Sequence, residues 1–222
     1  MKTENSKTKV AIIGIGKIGE VIASNLIRGN HAVILASRDI AKAKSVAEKL
    51  GHLAVARETR VAIKEADIVI PTIYFNSLKE FIKTYSEELD GKILVDVSNP
   101  IAPDGKGGFK KIIGEDESAG MILAGLLPKN SKLVKTFGTL GAGSLSSGAF
   151  NEPERKVMFY ASDSINTNPQ IEQLITSSGF TPYHVGGLDQ SGRIEVFGDL
   201  HEFGALGKTV TLTEFKKESI NA

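Results

Sequence analysis

Cysteine is missing altogether from the 222 residues, which excludes disulfides, thiolate nucleophiles and cysteine-ligated metals. Charge of one sign is also lacking, for the formal net charge is only +1. So even a balance supplies no general attraction to nucleic acid or to an anionic membrane. No apolar run approaches membrane-spanning length, and the polar opening MKTENSKTK has no apolar signal core. These absences predict a cytoplasmic protein with neither nucleic acid nor membrane among its partners. The histidines, His31, His52, His184 and His201, form no i, i+4 pair, so no metal site is expected. Linker-like composition, repeats and low-complexity tracts are absent too. A flexible N-terminus over residues 1–8 and one domain over 9–222 are expected.

What is present is alternation. KVAIIG, HAVILA, HLAVA, DIVIPT and KILVDV are short apolar strands, separated by stretches of helical spacing. Asp39 is placed to cap a helix that ends at Leu50, with Gly51 as its stop. Strands and helices alternating at this interval predict a doubly wound, mostly parallel α/β sheet of Rossmann type in a single domain. After Val97 the pattern loosens through SNPIAPDGKGGF. It resumes with a helix around 118–127, the strands KLVKTF and KVMFYA, a helix over 169–178 and a strand around 183–185. Residues 188–206 read as a partly helical C-terminal segment despite Gly192, Gly198 and Gly204. Leu188, Ile194, Val196, Phe197, Leu200, Phe203 and Leu206 carry more apolar surface than a free terminal helix should expose. The segment is expected to build part of a homodimer; the alternative is that it folds back onto its own sheet.

The first strand runs into Gly14-Ile15-Gly16-Lys17-Ile18-Gly19, a G-x-G-x-x-G string between a buried strand and an amphipathic helix. In that context the three glycines serve a tight turn, backbone approach to a pyrophosphate and close helix packing, and the helix N-terminus favours the phosphates. A dinucleotide is the expected ligand. Ser37 lies 23 positions after Gly14, where an acidic residue would bind the ribose hydroxyl of NAD. Here the chain offers a neutral hydroxyl, the Arg38 guanidinium and, about one helical turn on, Lys42. A hydroxyl with two cations suits a 2′-phosphate, so NADP(H) is the expected cofactor.

KVAIIGIGKIG, ASRDIAKAK, DIVIPTIY, ILVDVSNPI and VKTFGTLGA together resemble the NADPH-dependent deazaflavin reductase family, from Lys9 to about Ala142. The resemblance implies an oxidoreductase that moves a hydride between NADPH and a flavin- or deazaflavin-like small molecule. It implies a glycine loop at Gly14, Ile15, Gly16, Lys17, Ile18 and Gly19, and a 2′-phosphate site at Ser37, Arg38 and Lys42. Pro71, Thr72, Ile73 and Tyr74 would line the nicotinamide. Ser98, Asn99 and Pro100 and then Phe137, Gly138 and Thr139 would line the neighbouring strand ends. The chain departs from the family at Ile73-Tyr74, where a proline followed by tryptophan or another bulky residue is usual.

Other strings fall away. GALGKT has Glu202 where a phosphate loop needs glycine, and GSLSSG misses the spacing of a nucleophile elbow. Tyr74, beside the expected nicotinamide, and His201, near Asp199 and Glu202, are the candidate catalytic proton donors. A carbonyl or imine acceptor would need one of them; a flavin-like ring would not. The alternative is a non-catalytic NADP sensor acting through its C-terminal segment.

Overall fold

The computed structural model describes residues 8–220. The flexible stretch expected over 1–8 therefore lies outside the described residues except for Thr8.

The first half alternates as its periodicity requires. It comprises β1 (Val10–Ile13), α1 (Lys17–Arg28), β2 (Val33–Ala36), α2 (Ile40–Leu50), β3 (Ala54–Ala56), α3 (Thr59–Glu65), β4 (Ile68–Pro71), α4 (Phe75–Thr84), α5 (Ser86–Leu89) and β5 (Ile93–Asp96). A short hairpin follows, β6 (Ile101–Pro103) and β7 (Phe109–Lys111), then α6 (Ala119–Ala124) and β8 (Lys132–Thr136). The chain continues with α7 (Ala142–Ser147), β9 (Val157–Ala161), α8 (Asn168–Ser177), β10 (Thr181–His184), a 3-10 segment over Leu188–Ile194, and α9 (Leu212–Ile220). The main sheet has the order β10-β9-β8-β5-β4-β1-β2-β3. This is a doubly wound Rossmann sheet whose strand order reverses between β1 and β4, the point where such sheets bind ligands.

The strands are apolar along their length because both faces are covered. Val10 and Ile12 enter one core with α1 and α8, while Ala11 and Ile13 enter the other with α3 and α4. Each valine or isoleucine among them contributes roughly 1.5–3 kcal/mol when fully buried. Asp39 caps α2 by accepting from Ala41 N–H at 2.9 Å, and Gly51 ends it with φ 86°.

Several local readings need correction. β9 pairs antiparallel with β8, so β9 and β10 run against the other strands. The helical stretch between DIVIPT and KILVDV is interrupted at Tyr85, whose φ of −112° separates α4 from α5. SNPIAPDGKGGF is a hairpin rather than a loose loop. Asp104 accepts from the N–H groups of Lys106 and Gly108, and so closes the turn between β6 and β7.

Residues 188–206 form no α-helix beyond the short 3-10 piece, and the helix of the C-terminal region is α9. The glycines are the reason. A Cβ on Gly204 would overlap the Gly198 carbonyl oxygen, and one on Gly198 would overlap the carbonyls of Gly192 and Arg193. Backbone crosses backbone at these points, in stacked turns. Leu188, Ile194 and Leu200 are buried within the chain's own fold, while Phe197 and Phe203 stay exposed. The segment therefore packs onto its own sheet.

Candidate functional site

The carboxyl ends of β1, β2, β4, β5 and β8 all open on one edge of the sheet. At the end of β1 the glycine loop is braced from inside. Gly14 adopts φ 97°, reserved in practice for glycine, and its N–H donates to the Ala36 carbonyl at 2.8 Å. A Cβ there would also lie 2.9 Å from Ile73 Cγ2. The Thr72 hydroxyl donates to the Gly14 carbonyl, and a Cβ on Gly19 would overlap that same carbonyl and stand 2.6 Å from Thr72 Oγ1. Gly16 is different. It caps α1 in extended backbone, φ −98° and ψ −169°, and a Cβ on it would meet nothing within 4 Å. The protein itself does not need a glycine there. The open space above Gly16 is the kind of cradle a pyrophosphate fills.

At the end of β2, Ser37 is half-buried and its Oγ accepts from the Asp39 N–H at 3.2 Å. Asp39 is occupied as the α2 cap, so its carboxylate is directed at the helix terminus. Arg38 and Lys42 are exposed and enter no ion pair among the described residues. Two cations and a hydroxyl thus stand at the first turn of α2.

The other expected residues divide into two groups. Tyr74 is 87% exposed at the start of α4, and Ile73 and Asn99 are partly accessible. Ile15, Gly19, Pro71, Ser98, Pro100, Phe137, Gly138 and Thr139 are buried. Phe137 sends its ring into the core from a left-handed backbone, φ 61°, which turns the chain at the end of β8. The Thr139 hydroxyl faces Met158 Sδ at 3.5 Å. Ser98 donates to Asp96 Oδ1 at 2.7 Å. These side chains shape the edge from below, and only their backbone can face a ligand.

Under the edge lies a cluster that sequence reading missed. Lys135 Nζ sits 2.8 Å from Asp96 Oδ2 and 3.8 Å from Glu195 Oε1, and it also donates to the Ser98 carbonyl. All three charged side chains are buried. Glu195 accepts from the N–H groups of Ala119 and Gly120 at 3.1 Å each, at the start of α6. Burial pushes its carboxyl above the ordinary range, against the opposing pull of Lys135 and those two bonds. The signal was available in KILVDV and KLVKTF, where a charged residue interrupts each apolar strand.

His201 is corrected from proton donor to brace. It is 1% exposed, its Nε2 lies 2.9 Å from the Gly138 carbonyl, and its Nδ1 accepts from Phe203 N–H at 2.9 Å. The bonds define the neutral Nε2–H tautomer, and neither nitrogen is left for a substrate. Burial lowers the imidazole pKa, opposed by the Gly138 bond.

A glycine loop open only at Gly16, beside a cationic α2 start, meets the requirements of an NADP-binding edge. Residues 9–100 match the family model described as NADP oxidoreductase coenzyme F420-dependent. The chain is 31% identical over 140 residues to the F420-dependent NADP reductase of Methanocaldococcus jannaschii, covering 58% of this chain and 62% of that protein. It is 25% identical over 187 residues to the metalloreductase STEAP3 of Rattus norvegicus, covering 84% of this chain and 36% of that protein. Thus the chain spans less than two thirds of the length of either curated relative. The crystal structure of protein SMa0349 from Sinorhizobium meliloti superposes with a TM-score of 0.79 at 28% identity, covering 92% of this chain and 95% of that one. The family-model match is confined to residues 9–100, while the architecture shared with SMa0349 covers nearly the whole chain. No helix among the described residues is long and apolar enough to cross a membrane.

Proposed function

We propose that the chain is an NADP(H)-dependent oxidoreductase that moves a hydride between NADPH and a flavin- or deazaflavin-like small molecule. The observation that carries this reading is Gly16, the one glycine of its loop at which an added Cβ would meet nothing within 4 Å. Its open face, with the α1 N-terminus behind it, suits a pyrophosphate. Ser37, Arg38 and Lys42 would hold the 2′-phosphate, and the likeness to an F420-dependent NADP reductase supports the same cofactor. NADPH bound at this edge supplies the hydride, and the protein's own part is positioning and exclusion of water.

Tyr74, Ile73 and Asn99 would border the nicotinamide end, with Ile15, Lys17, Ile18, Thr72 and the backbone at Pro71, Ser98, Pro100, Phe137, Gly138 and Thr139 completing the cradle. With His201 committed to backbone, Tyr74 alone remains of the expected proton donors. That scarcity favours an acceptor that takes its proton from water, as a flavin-like ring can, over a carbonyl or imine. A cytoplasmic homodimer is part of the proposal; Phe197 is an apolar side chain of 188–206 still exposed enough to serve a subunit contact. The test is NADPH oxidation with free flavins, quinones and a deazaflavin. Turnover with a planar acceptor, slower with NADH, is the expected result. Tight NADPH binding with no turnover on any of them would instead make the chain a sensor.

A further inference from the structure

Residues 195–204 lie across the carboxyl edge and are fastened there at successive points. Val196 N–H donates to Asn99 Oδ1 at 2.8 Å, and Asn99 Nδ2 donates to the Gly138 carbonyl at 2.9 Å. His201 Nε2 reaches the same carbonyl. Glu202 N–H donates to the Thr139 carbonyl at 3.3 Å, while its carboxylate accepts from Gly141 N–H. The glycine crossings at 198 and 204 leave these turns no slack.

Phe203 is what this fastening presents. Its backbone is tied to His201 Nδ1, its ring stands 5.5 Å from the buried imidazole, and a Cβ on Gly141 would come within 3.4 Å of its Cε2 and Cζ. Yet Phe203 is 64% exposed. A phenylalanine backed on one side, held by its own backbone and open to solvent on the other is an unused stacking surface.

Its place along the edge is informative. Ser37 follows β2 and Gly141 follows β8, four strand intervals away in the sheet order, on the order of 19 Å at the usual spacing. A dinucleotide anchored by its 2′-phosphate near β2 and by its pyrophosphate over β1 directs its nicotinamide toward the β5 and β8 side. Phe203 stands on that side.

We propose that Phe203 is the platform on which the planar ring of the hydride acceptor stacks, and so the residue that selects a heteroaromatic acceptor over a small carbonyl. The proposal rests on the oxidoreductase reading above for the acceptor's role, and on Phe203 itself for its shape.

The test is calorimetric titration of the full chain, saturated with NADP⁺, using riboflavin as the planar probe, alongside NADPH oxidation kinetics with the same compound. Phe203→Ala should weaken riboflavin binding by about 5- to 150-fold, the range for losing one stacked heteroaromatic ring. KM for riboflavin should rise while kcat holds, NADP⁺ affinity should stay unchanged, and Phe203→Tyr should restore binding. Equal riboflavin affinity in wild type and Phe203→Ala overturns the platform, as does a wild type that binds no riboflavin. Riboflavin binding that depends on Phe203, with no NADPH oxidation by any of the flavins, quinones and deazaflavin named above, supports the platform and overturns the oxidoreductase reading.

Discussion

Lys135 and Asp96 are register partners on β8 and β5, their charged atoms 2.8 Å apart and both side chains out of contact with solvent. Removing one member of a buried pair leaves the other uncompensated, at a cost of about 3–5 kcal/mol. Lys135→Met should lower stability by that order, because Asp96 and Glu195 would remain buried together. Pairing it with Asp96→Asn should recover part of the loss. Urea midpoints at constant slope are the measurement; a Lys135→Met midpoint within error of wild type would show the cluster contributes nothing.

The glycines of the loop should separate binding from folding. Gly16→Val places a side chain in open space on extended backbone that valine tolerates, so the melting temperature should hold while NADP⁺ binding is lost. Gly19→Ala drives a Cβ into the Gly14 carbonyl, and should destabilise the fold by about 1–3 kcal/mol or more. Thermal unfolding and a cofactor titration on both variants check the contrast. If Gly16→Val binds NADP⁺ as wild type does, the cradle is misassigned.

Cofactor choice should rest on Arg38, Lys42 and Ser37. NADPH and NADH differ only in the 2′-phosphate, so groups that touch nothing else discriminate between them. A hydrogen bond to a charged group is worth ~1.5–3 kcal/mol, so Arg38→Ala should weaken NADPH by roughly 10- to 150-fold. NADH should hardly change. Adding Ser37→Asp should invert the preference, since a carboxylate accepts from the ribose and repels the phosphate. Equal weakening of both cofactors by Arg38→Ala would place Arg38 in general support of the adenosine.

Stability should depend on pH through His201. Burial holds its folded-state pKa below the ordinary 6.5. As pH falls below about 6.5 the unfolded chain takes up a proton that the folded chain refuses. The His201 contribution is therefore complete above that value and is lost progressively as pH falls toward the folded pKa. His201→Gln, which can still donate to Gly138 and accept from Phe203 N–H, should flatten this slope. Denaturation midpoints from pH 5 to 8, as wild type minus variant, read the difference directly.

By itself the sequence determined the parallel half of the sheet, the glycine turn and the hydroxyl and cations at the start of α2. Each of these is local: an apolar strand, a turn and a helix cap lie within a few tens of residues and leave a period or a spacing. Tertiary structure alone decided the rest. The reversal at β9, the hairpin in SNPIAPDGKGGF and the path of 188–206 depend on which backbone lies beside which, and composition holds no record of that. Three glycines in an apolar stretch resemble a poor helix until Gly198 and Gly204 are seen where chains cross. His201 resembled a proton donor because Asp199 and Glu202 are its neighbours in sequence. Gly138 and Phe203 N–H, its partners in space, turned it into a brace, because a buried imidazole takes the hydrogen bonds that packing brings within reach.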